Sequence, residues 1–306
     1  MLRSVILAAA RSARVERLVE TAPLSRDVVR RFVAGTDTAA ALGVTRQLAD
    51  AGLAVTLDNL GEDTVTPEQA QATRDEYERL LGALAEAELT GVAEVSLKLS
   101  ALGQRFDEKL AYDHAYAICV AASAAGTTVT LDMEDHTTTD STLEVLARLR
   151  EDFPTTGAVL QAYLRRTEDD CRELAKDGSR VRLCKGAYKE PEAVAYQSAL
   201  DIDLSYVRCM NILMSGPGYP MLATHDPRLI AIGEDRAKWF ERAADTFEFQ
   251  MLYGVRDGEQ RRLAEQGYVV RTYVPYGTEW YGYMMRRLAE KPANMALFLR
   301  ALSSRS

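Results

Sequence analysis

The sequence predicts an α/β fold, a (βα)8 TIM barrel with N-terminal helices, from three observations. Short runs rich in β-branched residues alternate with longer segments that carry apolar residues at helical spacing. Eight such strand–helix units span roughly 250 residues, which is the usual size of this barrel. No stretch rich in Pro, Gly or Ser divides the 306 residues. We therefore expect one domain over residues 1–306, with a helical arm over about residues 1–50.

Eight strands are expected, each of them a short run bounded by turn residues or by helical segments. They are Ala54–Leu60, Glu94–Ser100, Thr127–Asp135, Gly157–Tyr163, Arg180–Lys185, Pro220–His225, Phe247–Leu252 and Tyr268–Val274. Segments long enough for crossover helices include Pro67–Ala87, Ser141–Phe153 and Ala193–Met214. A doubly wound open sheet is the alternative, and it usually has a glycine-rich phosphate loop after its first strand. The segment Leu57–Gly61 is not such a loop.

Apolar and polar residues alternate within the strands, so each strand has an apolar face and a partly polar face. In the second strand, for example, Val95 and Leu97 alternate with Ser96 and Lys98. The apolar face suits the layer under the helices, and the polar groups fall near the carboxyl end, where barrel enzymes build their sites. The polar residues expected there are Lys98, Asp132, Gln161, Arg182 and His225.

The charge balance and the cysteines exclude several classes of protein. A net charge of −8 argues against sequence-independent binding to nucleic acid, which needs a basic surface. The four cysteines form no Cys-x-x-Cys pair, which favours a reduced cytosolic compartment. The longest N-terminal apolar run, Val5–Ala10, is too short for a signal peptide or a transmembrane segment. His114, His136 and His225 are far apart in sequence, and we expect no metal.

Two charged residues on neighbouring predicted strands, Lys98 and Asp132, are expected to form an ion pair at the mouth of the barrel. Because a buried ion pair adds little stability, such a pair favours a functional role. Arg182 is charged within an apolar run and is a further candidate. Gln161 is equally compatible with a core amide whose hydrogen bonds are satisfied.

The helix expected after the eighth strand has an apolar face and an opposite face on which polar residues share helical spacing. The polar face consists of Tyr283, Arg286, Arg287 and Glu290. A face of this kind is usually solvated, but adjacent guanidinium groups at the top of a barrel suit an anionic small molecule. Three functions stay open: a Schiff-base lyase that uses Lys98, redox chemistry on a phosphate-bearing cofactor, or a barrel that only binds an anion.

Seven short segments, in order along nearly the whole chain, form a specific combination. They are Arg31–Gly35, Ser96–Ser100, Leu131–Glu134, Arg182–Tyr188, Ala223–His225, Phe249–Gly254 and Tyr283–Leu288. This combination resembles the proline dehydrogenase family, and the chain length resembles its single-function bacterial form.

The resemblance implies a distorted (βα)8 barrel that binds FAD non-covalently and oxidises L-proline to Δ1-pyrroline-5-carboxylate. The electrons would pass to a quinone, and the reaction would be the first step of proline catabolism to glutamate. Pyrroline-5-carboxylate dehydrogenase is then an expected partner. The implied location is the cytoplasm, with peripheral contact at the inner face of the cell membrane.

The resemblance also implies roles for individual residues. The catalytic residues would be Asp132, paired with Lys98, and Arg182, placed beside the flavin N5. Substrate contacts would come from Lys98, Tyr188, Leu252, Tyr273, Tyr283, Arg286 and Arg287, with the last two arginines on the carboxylate. Cofactor contacts would come from Met133, Gln161, Arg182, Lys185, Gly186, Ala187, Thr224 and His225. Where many relatives carry a lysine for the FAD phosphates, this chain has Ala199.

Overall fold

The protein is described by a computed structural model that covers residues 29–61, 64–175 and 179–284. Its strands are β1 (Ala54–Asn59), β2 (Ala93–Leu97), β3 (Val129–Leu131), β4 (Ala158–Gln161), β5 (Arg180–Cys184), β6 (Tyr219–Ala223), β7 (Glu248–Leu252) and β8 (Val269–Tyr276). Its α-helices are α1 (Thr38–Asp50), α2 (Pro67–Glu86), α3 (Glu108–Ala125), α4 (Thr139–Asp152), α5 (Thr167–Ala175), α6 (Ala199–Ser215), α7 (Pro227–Trp239) and α8 (Asp257–Glu265).

The strands form one parallel sheet that closes into a barrel. Their spatial order is β3-β2-β1-β8-β7-β6-β5-β4, so β1 pairs with β8. The gap between β3 and β4 is closed by a parallel bridge between Thr130 and Gly157. Gly157 N donates to Val129 O at 2.8 Å, and Leu131 N donates to Gly157 O at 2.9 Å. The predicted (βα)8 barrel is therefore confirmed, and the open doubly wound sheet is wrong.

The main core lies between the barrel and its helices, as the alternation within the strands predicts. The apolar faces of β1 and β2, including Val55, Leu57, Val95 and Leu97, are fully buried in this layer. Fully burying a side chain of this size contributes about 1.5–3 kcal/mol. The helices present matching apolar stripes. In α2, which Thr66 caps and Pro67 begins, the stripe consists of Tyr77, Leu80, Leu81 and Leu84.

Several predicted bounds need correction. The third strand is not Thr127–Asp135 but Val129–Leu131, because on its β4 side it forms only one bridge, to Gly157, the residue before β4. Beyond it, the Asp135 side chain caps a short 3-10 helix, His136–Thr138. The second strand ends at Leu97 rather than Ser100, because Leu99–Leu102 form another 3-10 turn.

The helix after β5 begins at Ala199 rather than Ala193. Residues before it pair elsewhere, since Ala195 forms an antiparallel bridge with Leu164. The Ser198 hydroxyl then caps the helix by accepting a hydrogen bond from Asp201 N.

The N-terminal segment that carries the Arg31–Gly35 motif lies across the carboxyl ends of β7 and β8. Ala34 N donates to Pro275 O at 2.9 Å, and Gly277 N donates to Gly35 O at 2.9 Å. Arg31 O approaches Gly254, just after β7, so closely that a Cβ there would lie 1.7 Å from it. The α1 helix belongs to the expected N-terminal arm, whose residues 1–28 lie outside the described residues.

Candidate active site

The polar faces of the strands meet inside the barrel, and they carry charge along its whole length rather than only at the mouth. Near the amino ends of the strands, Arg180 Nη2 lies 2.5 Å from Glu94 Oε2, and Arg271 Nε lies 2.7 Å from Glu248 Oε1. Burial alone would raise the pKa of Glu94, but the charges of Arg180, Arg271 and Arg182 outweigh it. They lower this pKa from 4.5 to about 2. Sequence reasoning missed this network.

Arg182, on β5, joins the amino-end network to the mouth. Its side chain is 4% exposed. Burial disfavours its charge, but Asp132 and Glu94 more than compensate, so the pKa of Arg182 is raised. All five of its N–H donors have acceptors. Nε donates to Gln250 Oε1 at 2.6 Å, and Nη1 donates to Ser96 Oγ at 3.0 Å and to Asp132 Oδ1 at 2.7 Å. Nη2 donates to Thr56 Oγ1 at 3.4 Å and to Glu94 Oε1 at 3.5 Å.

Asp132, directly after β3, is the centre of the group at the mouth. One carboxylate oxygen accepts from Arg182 Nη1 and from Ser96 Oγ, the latter at 2.8 Å. The other accepts from Tyr273 Oη at 2.6 Å. Lys98 Nζ lies 3.6 Å from that second oxygen. The two residues singled out for an ion pair are therefore in contact, although at the long end of the range for ion pairs.

The tighter partner of Lys98 is Asp58 on β1, which sequence reasoning missed. Lys98 Nζ donates to both carboxylate oxygens of Asp58, at 2.7 and 2.9 Å. Asp58 is 2% exposed, and its burial raises its pKa although Lys98 acts against the rise. Because Asp58 shares the polar face of β1 with Thr56, the alternation applied to that strand would have identified it.

The residues expected at the cofactor lie at or after the carboxyl ends of β3, β4, β5 and β6. Gln161 Nε2 donates to Glu134 O at 2.7 Å, and Gln161 Oε1 accepts from Ala187 N at 3.4 Å. His225 Nε2 accepts from Leu252 N at 2.9 Å. Met133, Gly186 and Thr224 lie at the carboxyl ends of the same strands, with Met133 and Thr224 buried.

Lys185, which is expected at the cofactor, is paired with two carboxylates. Its ammonium group lies 2.5 Å from Asp203 and 3.0 Å from Asp226, and both carboxylates also contact the exposed Arg228. Ala199 is the first residue of α6, which also carries Asp203. The cations next to the missing lysine position are therefore already neutralised by carboxylates.

The residues expected around the substrate ring differ in exposure, and Tyr273 is the one that contacts Asp132. Tyr283 is 6% exposed, Tyr273 and Leu252 are half-buried, and Tyr188 is exposed. The Arg182 guanidinium carbon lies 5.2 Å from the centroid of the Tyr273 ring. Arg286 and Arg287, predicted for the carboxylate, lie outside the described residues, as does Glu290.

A cavity of about 890 Å³ lies beside the mouth, between the carboxyl ends of β1 and β8 and the starts of α1 and α2. Its lining includes Asn59, Gly61, Glu76 and Glu279, and none of the sequence-predicted site residues.

The three histidines lie apart from one another. His225 accepts a hydrogen bond from a backbone N–H of β7, His136 contacts Glu190, and His114 is on α3. In the described ranges, no group of three or more His, Cys, Asp or Glu side chains is arranged to hold a metal ion.

Comparison with known proteins decides the family. The profile of the family described as "Proline dehydrogenase" matches residues 41–299. The chain belongs to the proline dehydrogenase family. Proline dehydrogenase 1 of Bacillus subtilis is 39% identical over 273 residues, which cover 89% of this chain and 90% of the relative. The proline dehydrogenase of Deinococcus radiodurans is 38% identical over 310 residues, with 98% and 97% covered.

A solved structure shows the same architecture in a proline dehydrogenase relative. Proline utilization A (PutA) from Bdellovibrio bacteriovorus, inactivated by N-propargylglycine, superposes with a TM-score of 0.82 at 27% identity. The match covers 92% of this chain and 34% of that chain, so this chain spans about a third of PutA. None of these relatives is described as a lyase, so the Schiff-base alternative gains no support.

The described residues fit a flavin. A flavin develops negative charge as it gains a hydride, and the buried Arg182 is a cation of the kind that would stabilise such charge. Ala187 N donates to Gln161 Oε1, so the Gln161 amide and this N–H after β5 form a polar pair that a flavin ring could contact. In the part of the chain that is described, no helix is both long enough and apolar enough to cross a bilayer.

Proposed function

We propose that this protein oxidises L-proline to Δ1-pyrroline-5-carboxylate with FAD as its bound cofactor. The observation that carries the proposal is the contact of Asp132 with Lys98, Arg182 and Tyr273 at the mouth of a proline dehydrogenase family barrel. FAD, when bound, supplies the two-electron acceptor for the hydride that leaves proline.

The charges of the site suit a zwitterionic amino acid. The positive charges of Lys98 and Arg182 equal the negative charges of Asp58 and Asp132, so these four side chains together have no net charge. We assign the substrate carboxylate to Lys98 together with Arg286 and Arg287, whose guanidinium groups can bind it through two hydrogen bonds each. Tyr188, Leu252, Tyr273 and Tyr283 then form the wall around the apolar ring, which holds it at reacting distance.

Asp132 orients its neighbours rather than reacting itself. It fixes Arg182 on one side and the Tyr273 hydroxyl on the other, so both keep their orientation as charge develops. We assign the cofactor to Met133, Gln161, Arg182, Gly186, Ala187, Thr224 and His225. Lys185 would approach the pyrophosphate as part of a cluster with Arg228, Asp203 and Asp226 that has no net charge.

A quinone is the electron acceptor that we propose, and pyrroline-5-carboxylate dehydrogenase is the consumer of the product. The bifunctional PutA protein of Escherichia coli, 28% identical over 320 residues, is consistent with a coupled second activity because this chain covers only 24% of it. The proposed location is cytoplasmic, with peripheral contact at the membrane surface where a quinone would be met.

Turnover of the FAD-loaded protein tests the proposal. With L-proline and a soluble quinone, we expect proline-dependent reduction of the quinone and formation of a cyclic imine. D-proline serves as the control, since the residues assigned to the carboxylate and the side chains around the ring together select one enantiomer. Reduction of the quinone at equal rates with and without L-proline would overturn the assignment.

A further inference from the structure

Glu190 is a buried carboxylate in the segment that joins β5 to α6, and none of the roles above uses it. Its side chain is only 3% exposed. The segment also carries Gly186, Ala187 and Tyr188, which are proposed to meet the flavin and the substrate. A buried carboxylate is costly unless it is paired and hydrogen-bonded, so its partners indicate what it does.

Its partners come from two other strand ends of the barrel. Glu190 Oε1 accepts from His136 N at 3.0 Å and from Tyr163 Oη at 3.3 Å. Glu190 Oε2 contacts His136 Nδ1. Since His136 follows β3 and Tyr163 follows β4, one carboxylate ties together the segments after three successive strands, β3, β4 and β5. We call Glu190, His136 and Tyr163 the Glu190 clasp.

Tyr163 transmits this restraint to the backbone of the flavin segment. Tyr163 N donates to Lys185 O at 2.8 Å. Gly186 has φ of 118°, and a Cβ there would lie 2.3 Å from the Tyr163 ring, so the ring packs directly on the glycine. The next residue, Ala187, donates its N–H to Gln161. A displacement of Tyr163 would therefore displace the backbone that leads to Tyr188.

We propose that Glu190 is a positioning residue, an inference that rests on the proposed function. Glu190 acts through Tyr163 and His136 to hold the backbone of Gly186 and Ala187 in place. This backbone in turn determines the position of Tyr188 at the mouth of the barrel. Tyr188 is 37% exposed, so packing alone does not fix its side chain. Small misplacements of a group that closes over a reacting ring are costly, because the reaction needs near-attack geometry.

Glu190→Gln in the FAD-loaded protein tests the clasp with little change in volume. The glutamine side chain has an NH2 group in place of one carboxylate oxygen. This NH2 group donates hydrogen bonds, but the groups around it, such as His136 N and Tyr163 Oη, are donors too. We expect amide hydrogen exchange in residues 185–190 to rise by about tenfold, the size expected for losing one charge-assisted bond. We expect the KM for L-proline to rise by a similar factor, with a smaller change in kcat. Glu192→Gln, an exposed glutamate of the same segment, is the matched control.

Hydrogen exchange and the KM for L-proline test the Glu190 clasp and the proposed function separately. Hydrogen exchange needs no turnover, so a protein that binds no proline overturns the function while the exchange data still decide the clasp. If Glu190→Gln fails to fold, His136→Gln serves instead, since the His136 side chain is 31% exposed. Exchange in residues 185–190 equal to that of the wild type and of Glu192→Gln would overturn the inference. A rise spread evenly over the barrel would do the same, because it indicates general destabilisation only.

Discussion

Asp132→Asn is expected to lower kcat/KM for L-proline by about two to three orders of magnitude. The carboxylate holds Arg182 and Tyr273 and lies near Lys98, and the amide can accept only through one of its two ends. Loss of a preorganised group that stabilises developing charge typically lowers kcat by about 10²–10³, and without the Asp132 carboxylate the Arg182 guanidinium loses its closest anionic partner. Steady-state kinetics with FAD in excess measures the effect.

Asp58→Asn is the comparison for that variant. Asp58 contacts Lys98 but not Arg182, so we expect a higher KM for proline with a smaller loss in kcat. Lys98→Met combined with Asp132→Asn should be less than additive in kcat/KM, since both remove parts of one group. Full additivity, together with an Asp132→Asn variant that keeps wild-type kcat, would contradict the central position of Asp132.

Glu94→Gln is expected to lower the free energy of unfolding by about 3–5 kcal/mol near neutral pH, because it removes the carboxylate that pairs with Arg180 and lies near Arg182 and Arg271. The depressed pKa leads to a similar size, since each pKa unit corresponds to about 1.4 kcal/mol. With a folded pKa of about 2 and an ordinary value of 4.5, this stabilisation is fully present above pH 4.5 and is lost as the pH falls towards 2.

Urea unfolding over a range of pH measures this second effect. The stability of the wild type should fall between pH 4.5 and 2 more steeply than that of Glu94→Gln, which has no carboxylate to titrate there. Glu86→Gln, an exposed glutamate at the end of α2, is the control and should resemble the wild type. Equal stabilities and parallel pH dependences for Glu94→Gln and the wild type would contradict the role of the network.

The fold could be predicted because strand alternation is a local property. A period of two places Lys98 and Arg182 inside the barrel whatever the details of strand pairing, and the structure has them there. Strand ends are not local. The third strand is short because on its β4 side it forms only the bridge to Gly157, the residue before β4. The start of α6 depends on the pairing of Ala195 with Leu164.

The sequence identified which residues belong to the site more readily than which of them form ion pairs with one another. Lys98 has two carboxylates within reach, and the sequence cannot say that Asp58, 40 residues earlier, lies closer than Asp132. The pairing of Arg180 with Glu94 spans 86 residues and depends on how the closed barrel brings their strands together. Contacts of this kind are set by barrel geometry, which local patterns do not encode.

The most direct test of the proposed reaction is an anaerobic absorbance spectrum of the purified protein before and after addition of L-proline. We expect a yellow protein whose flavin absorbance is bleached by L-proline, without loss of the flavin from the protein. Asp132→Asn should keep the flavin but bleach far more slowly. A protein that binds FAD yet keeps its oxidised spectrum in excess L-proline would contradict the proposed reaction.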